Sequence, residues 1–295
     1  MGSDSFNVAA TEAGKTEADR SWTSVAICAD DFGVDPQVDA AIVELAAIGR
    51  LNATSVLIDA GISEASVASL AELDIDVGLH LNFTDTLGDL TPHDVMSLKS
   101  LIVRAHARLL SRDWVRQTIE RQVSRFEARF GRCPDYVDGH LHVHQLPVIR
   151  EVLLEVLSAR ELPAGFWVRD TRAGALTGST GSERFKAWVV GHLGMANLAG
   201  KAEHQHIAHN QGFFGVYDFT SAHRPFMQMM QDWLAGAKSG ALVMTHPAAA
   251  QLNGDPIGQA RVQEYVALGS PEFGALLQDS GVRLERLSQT LSSLP

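Results

Sequence analysis

Little in this chain would staple it, tether it or steer it by charge. Its 295 residues hold two cysteines, Cys28 and Cys133, far apart and without a Cys-x-x-Cys spacing. That excludes a disulfide framework and predicts buried thiols in a reducing compartment. No apolar run reaches the about 18 residues of a membrane-spanning helix, and the start carries neither the basic stretch nor the apolar block of a secretory signal. Phe6 breaks the myristoylation pattern. A cytoplasmic protein without a membrane span is expected. Lys and Arg form no block and the formal net charge is −11, which argues against a phosphate-tracking surface and against nucleic acid as a partner. A glycine fingerprint for nucleotide phosphates is also missing, as is any repeat of fixed period.

What is present is a hydrophobic content of 45%, enough for one large α/β domain. We expect that domain over residues 21–295, preceded by a flexible tail over residues 1–20, where Ser, Ala, Thr, Glu and Asp show no apolar periodicity. Ser24–Ala29 is a continuous apolar run ending in charge and then Gly33, the pattern of a strand buried on both faces. Pro36 opens a segment with Val38, Ile42, Leu45 and Ile48 at helical spacing, and Gly49 is a plausible cap. The alternation continues with helices over 64–73, 113–130 and 147–159, while 182–198 mixes helix formers with two glycines. Strands are expected near 24, 53, 76, 136, 165, 241 and 281, with one more near 206. Seven or eight strands separated by helices favour a distorted or incomplete (β/α) barrel over an open doubly wound sheet.

In such a barrel the loops after the strand ends build the active site. Asp30, Asp31, His80, His140 and His246 all fall at or just after expected strand ends. Any one of them alone reads as a turn, a cap or a hydrogen-bonded core residue; five together read as a catalytic metal site. Two adjacent carboxylates repel unless a cation intervenes. With Asp31 as a metal ligand, Asp30 is left as a base beside activated water. In Asp138–His144 the alternate residues His140, His142 and His144 would share one face of an extended chain. His140 is expected as a ligand; His142 and His144 have supporting, substrate-facing or structural roles. A second cluster, His204, His206 and His209, matches no ligand spacing and reads as an exposed loop or edge strand. Trp114, Trp167, Phe213, Phe214 and Tyr217 could form sugar platforms or core.

The blocks Ala29-Asp30-Asp31-Phe32-Gly33, Gly78-Leu79-His80-Leu81-Asn82, Asp138-Gly139-His140-Leu141-His142-Val143-His144 and Thr245-His246-Pro247-Ala248 occur in that order. Together they resemble the signature of the YdjC-like carbohydrate deacetylases, the group that includes chitooligosaccharide and hopanoid-lipid deacetylases. The resemblance spans about residues 24–285. It implies a distorted barrel related to polysaccharide deacetylases, with Asp31, His80 and His140 as metal ligands, Asp30 as general base and His246 as the group that stabilises or protonates the reacting amide. Arg169 resembles the family's basic residue after a middle strand. Arg261 and Glu264 match an Arg-x-x-Glu pattern, which a structural ion pair would explain equally well. Gly139 stands where some relatives carry Ser, and Thr245 where many carry Cys. Residues 171–211 follow no family pattern and are a candidate seat of substrate choice.

The reading that follows is a metal-dependent hydrolase that removes an N-acetyl group from an amino sugar of an oligosaccharide or glycolipid headgroup, with metal-bound water as nucleophile. Zinc or magnesium is the expected divalent ion, with cobalt and nickel also compatible with the donor set. Expected partners are the N-acetylated substrate and, for assembly, a second copy of the chain. Two alternatives stay open: a non-haem iron oxygenase using the same Asp/His/His triad, and a non-catalytic sugar-binding protein.

Overall fold

The computed structural model describes residues 22–176, 178–219 and 224–293; the expected tail over residues 1–20 lies outside them. The described residues contain β1 (Thr23–Phe32), β2 (Ala53–Val56), β3 (Asp76–Leu81), β4 (Tyr136–Gly139), β5 (Trp167–Val168), β6 (Ala208–His209), β7 (Phe213–Phe214), β8 (Ala241–Thr245) and β9 (Val282–Leu284). All pair in parallel, in the order β6-β5-β4-β3-β2-β1-β8-β7, with β9 beside the start of β1. The path ends at β6 and β7, which do not pair with each other. This is the incomplete (β/α) barrel expected from the alternation. Only β7 was not foreseen: two residues between Gly212 and Gly215 are too few to show a period.

Helices fill the crossovers: α1 (Pro36–Ala47), α2 (Glu64–Ala71), α3 (Leu98–His106), α4 (Arg112–Phe130), α5 (Ile149–Ser158), α6 (Gly181–His192), α7 (Met195–His204), α8 (Phe226–Gly236), α9 (Gly258–Gly269) and α10 (Pro271–Asp279). Local chemistry explains their ends. Asp35 accepts from the Gln37 N–H and Pro36 follows it, which starts α1. Gly131, at φ 68°, ends α4 in the left-handed conformation that glycine adopts without strain.

The strands sort their side chains with period two. On β1, Val25, Ile27 and Ala29 join the large core beneath the helices, while Ala26 and Cys28 face the barrel interior with Ala53, Tyr136, Trp167, Phe213 and Leu242. The rings of Tyr136 and Trp167 stack at 3.9 Å. Gly78 leaves room for that pair, because a Cβ there would sit 2.3 Å from the Tyr136 ring. This apolar layer is the platform on which the next inward-facing residues stand.

Candidate active site

One step further along the interior face, the same alternation puts Asp30 after Cys28, Ser55 after Ala53, His80 after Gly78, Asp138 after Tyr136, Arg169 after Trp167 and His246 after Met244. Strand periodicity alone therefore delivers a polar layer to the C-terminal ends of the strands. Asp31 would point to the opposite face of a regular strand. The β1–β2 register slips between Ala29 and Phe32, and Asp31 adopts φ 73°. This bulge re-aims the chain, so that both carboxylates line one cleft of about 1050 Å³.

Asp31 Oδ1 lies 3.6 Å from His80 Nε2 and 3.1 Å from His140 Nδ1. The three potential ligand atoms fall within 4.8 Å of one another. Each imidazole is oriented from behind: Asp138 Oδ1 is 2.6 Å from His80 Nδ1, and Asp85 Oδ2 is 2.8 Å from His140 Nε2. Arg261 donates to Asp31 Oδ2 at 2.7 Å, which leaves Oδ1 facing the histidines. One carboxylate and two imidazoles, each imidazole backed by a carboxylate, suit a divalent cation. A second triplet, Asp30, His80 and Asp138, is also compact. Its carboxylates are already bridged by Arg169, at 2.6 Å to each.

Arg169 is fully buried and is the organising cation of the floor. It grips both oxygens of Asp30 at 2.6 Å and donates to Ser55 Oγ at 3.1 Å. Burial would raise the Asp30 pKa, but the guanidinium outweighs it and holds the carboxyl well below the usual range. Asp31 follows the same pattern, with burial overcome by His140 and Arg261. Burial would lower His140, yet Asp31 and Asp85 push it up to about 10. His246 has no counterweight of that size: burial brings it down to about 4 despite both aspartates. Its backbone N–H donates to Glu264, and its Nδ1 has no partner among the described residues.

Several expectations are corrected. His140, His142 and His144 do not alternate along an extended chain, because Leu141 and His142 adopt φ 52° and 59° and the segment turns tightly. His142 is left in the cleft with its ring edge-on to Phe213, 5.5 Å away. His144 turns back under the turn, where its Nε2–H donates to the Arg169 carbonyl at 3.0 Å. Gly139 permits this return, since a Cβ there would lie 2.8 Å from the His144 nitrogen. Arg261 and Glu264 are each paired elsewhere: Arg261 holds Asp31 and Asp255, while Glu264 accepts from the Tyr217 hydroxyl and the His246 N–H. In the second histidine cluster, His209 lies on the edge strand β6 against Glu203, and His204 and His206 are exposed. Trp167, Phe213 and Phe214 are core, whereas Tyr217 lines the cleft. Asp138, Asp85 and Ser55 have contacts in the site that the sequence motifs do not assign. The period-two alternation carried the signal for Asp138 and Ser55; Asp85 sits in a loop whose path no pattern predicted.

An incomplete parallel (β/α) barrel whose strand ends converge carboxylates and imidazoles on one cleft is the layout of a hydrolytic enzyme. The chain belongs to the YdjC-like protein family, whose model matches residues 24–279. It is 28% identical to a carbohydrate deacetylase of Mus musculus over an alignment covering 91% of this chain and 95% of that protein. It is 25% identical to a chitooligosaccharide deacetylase of Yersinia pestis (strain Pestoides F), covering 87% and 94%. Among solved structures, a protein of Enterococcus faecalis provisionally described as a cellobiose-phosphate cleavage protein superposes with a TM-score of 0.65 at 19% identity, covering 91% and 99%. No helix among the described residues is long and apolar enough to cross a membrane.

Proposed function

We propose that this protein is a carbohydrate N-deacetylase that hydrolyses the N-acetyl group of an amino sugar and depends on a divalent metal, zinc or magnesium in the first instance. The relatives named as carbohydrate and chitooligosaccharide deacetylases support the reaction class. The observation that carries the reading is the division of labour between adjacent carboxylates: Arg169 clamps Asp30, while Asp31 faces two imidazoles. Asp31, His80 and His140 would hold the ion, which when bound supplies Lewis-acid activation of the acetyl carbonyl and of water.

Asp30, kept ionised by Arg169, accepts the proton of the attacking water. His246 lines the cleft as a neutral imidazole and hands on to the departing amine the proton that Asp30 takes from water. Asp138 and Asp85 hold the tautomers and angles of His80 and His140, so little reorganisation is needed during the reaction. An oxygenase with the same triad would have no use for the clamped Asp30 beside it. The free thiols Cys28 and Cys133 support a cytoplasmic setting.

Acetate release from a panel of N-acetylated sugars tests the reading, with metal-stripped, metal-restored and His140→Ala proteins run in parallel. The expected result is release that needs added metal and is lost in the variant. Release that survives in His140→Ala would overturn the ligand assignment; stoichiometric metal with no release from any sugar would overturn the substrate class.

A further inference from the structure

The cleft above the polar floor is unlike a surface made for a chain of hydroxyl groups. Leu98 and Ile102 of α3, Leu141 of the tight turn, Phe185 and Val189 of α6, and Leu193 at its C-cap all line it. Residues 185, 189 and 193 recur every four positions, so one apolar stripe of α6 or of its first turn beyond faces the cavity. Three of these side chains lie substantially in water: Phe185 is 65% exposed, Leu141 44% and Val189 36%. Leu141 is in addition held at φ 52°, a left-handed conformation that is strained for a leucine. An exposed, strained, apolar side chain beside a reaction centre contributes nothing to the fold that a polar residue would not supply.

Most polar groups of the wall are already engaged. Arg261 joins Asp31 to Asp255, Asp85 holds His140, and Asp35 caps α1. Asn253 and Lys186 on the wall, and the rings of His142 and His246 at the floor, are left without a hydrogen-bonding side-chain partner among the described residues. The two floor rings lie beside the reaction centre, and the two wall groups can orient one sugar ring. They cannot satisfy a succession of them, and buried hydroxyls without partners are costly.

We propose that the substrate is a single N-acetylated amino sugar carrying an apolar aglycone, and that the wall formed by Leu98, Ile102, Leu141, Phe185, Val189 and Leu193 takes the aglycone. The proposal rests on the deacetylase reading for the reaction and on the wall for the ligand. Removing apolar surface from water is worth about fourfold in affinity for each fully buried methylene. Preference should therefore grow with alkyl length and be indifferent to added sugars.

The test compares methyl, butyl and octyl N-acetyl-β-glucosaminides, below their micellar concentrations, with N-acetylglucosamine dimers and trimers. The expected result is a kcat/KM that rises at least tenfold from methyl to octyl and changes less than threefold from dimer to trimer. In Phe185→Ser and Val189→Asp the octyl-to-methyl ratio should fall toward one. Equal values for methyl and octyl, or a rise with sugar number instead, overturns the proposal. Calorimetric binding of the same glycosides separates the two readings. If no member releases acetate, the deacetylase reading fails, while tighter octyl than methyl binding, lost in Phe185→Ser, still supports the wall. Equal binding of both overturns it.

Discussion

On the floor of the cleft Asp30, Asp31, His80 and Arg169 are each at most 2% exposed, with polar partners between 2.6 and 3.6 Å, whereas on its wall Phe185, Leu141 and Val189 stand 36–65% in solvent. The floor lies on strand ends, where backbone pairing fixes each Cα and neighbouring charges fix each side chain. The wall lies on a helix and a tight turn, and what it presents is surface. Chemistry that tolerates little displacement is thus placed on the sheet, and recognition that needs only contact is placed above it.

Removing the cation of the floor gives the sharpest contrast. Arg169→Met leaves the buried carboxylates of Asp30 and Asp138 facing one another without a counter-charge. The loss of one partner from a buried ion pair costs about 3–5 kcal/mol. Urea denaturation of the variant should show that loss, together with absent activity. A midpoint equal to wild type would mean that the floor is not under electrostatic constraint.

Asp30→Asn is the more selective version, because the amide keeps the shape and removes only the basic oxygen. The expected effect is a fall in kcat of about 10²–10⁴, the usual contribution of a positioned base, with metal content unchanged. A kcat within tenfold of wild type would assign the base elsewhere.

Much of this contrast was legible beforehand. The apolar runs ending at Asp30, His80 and Asp138 gave the strands, and the strand ends gave the floor residues. What stayed hidden has a common cause: it depends on backbone angles that side-chain periodicity does not report. The bulge that turns Asp31 beside Asp30 and the left-handed pair Leu141–His142 break alternation locally, so alternation could not foresee them. Arg261 reaches Asp31 from 230 positions away in sequence, a distance across which a four-residue pattern such as Arg-x-x-Glu carries no information. α6 falls in the segment 171–211 that no motif covered, and its apolar stripe is interrupted by Lys186 and Gly191.

The floor should also set how the metal-free protein responds to acid. Burial holds His142 at about 3 and His144 and His246 at about 4, whereas in the unfolded chain each returns to about 6.5. Folded values below unfolded ones mean that the unfolded state binds more protons, so stability is complete above pH about 6.5 and drains away toward pH 4. The slope can reach roughly 1.4 kcal/mol per pH unit for each histidine. His140, raised to about 10 by Asp31 and Asp85, acts in the opposite sense: its contribution is present below about pH 6.5 and fades as pH rises toward 10. Urea midpoints should therefore peak near neutrality. A midpoint that stays flat from pH 7 to 5 would show that these imidazoles are not sealed from water.

The smallest stability effect belongs to the wall, and it completes the contrast. Phe185 is 65% exposed, and its ring stacks on Trp188, itself 56% exposed. Truncating a largely solvated side chain at a helix surface usually changes stability by no more than about 0.5 kcal/mol. Phe185→Ser should leave the urea midpoint within that range while reducing affinity for an alkyl glycoside. A loss of 2 kcal/mol or more, on the scale of core truncations, would mean that the stripe of α6 packs as core in solution, and the wall would then be part of the fold and not a surface kept open for a ligand.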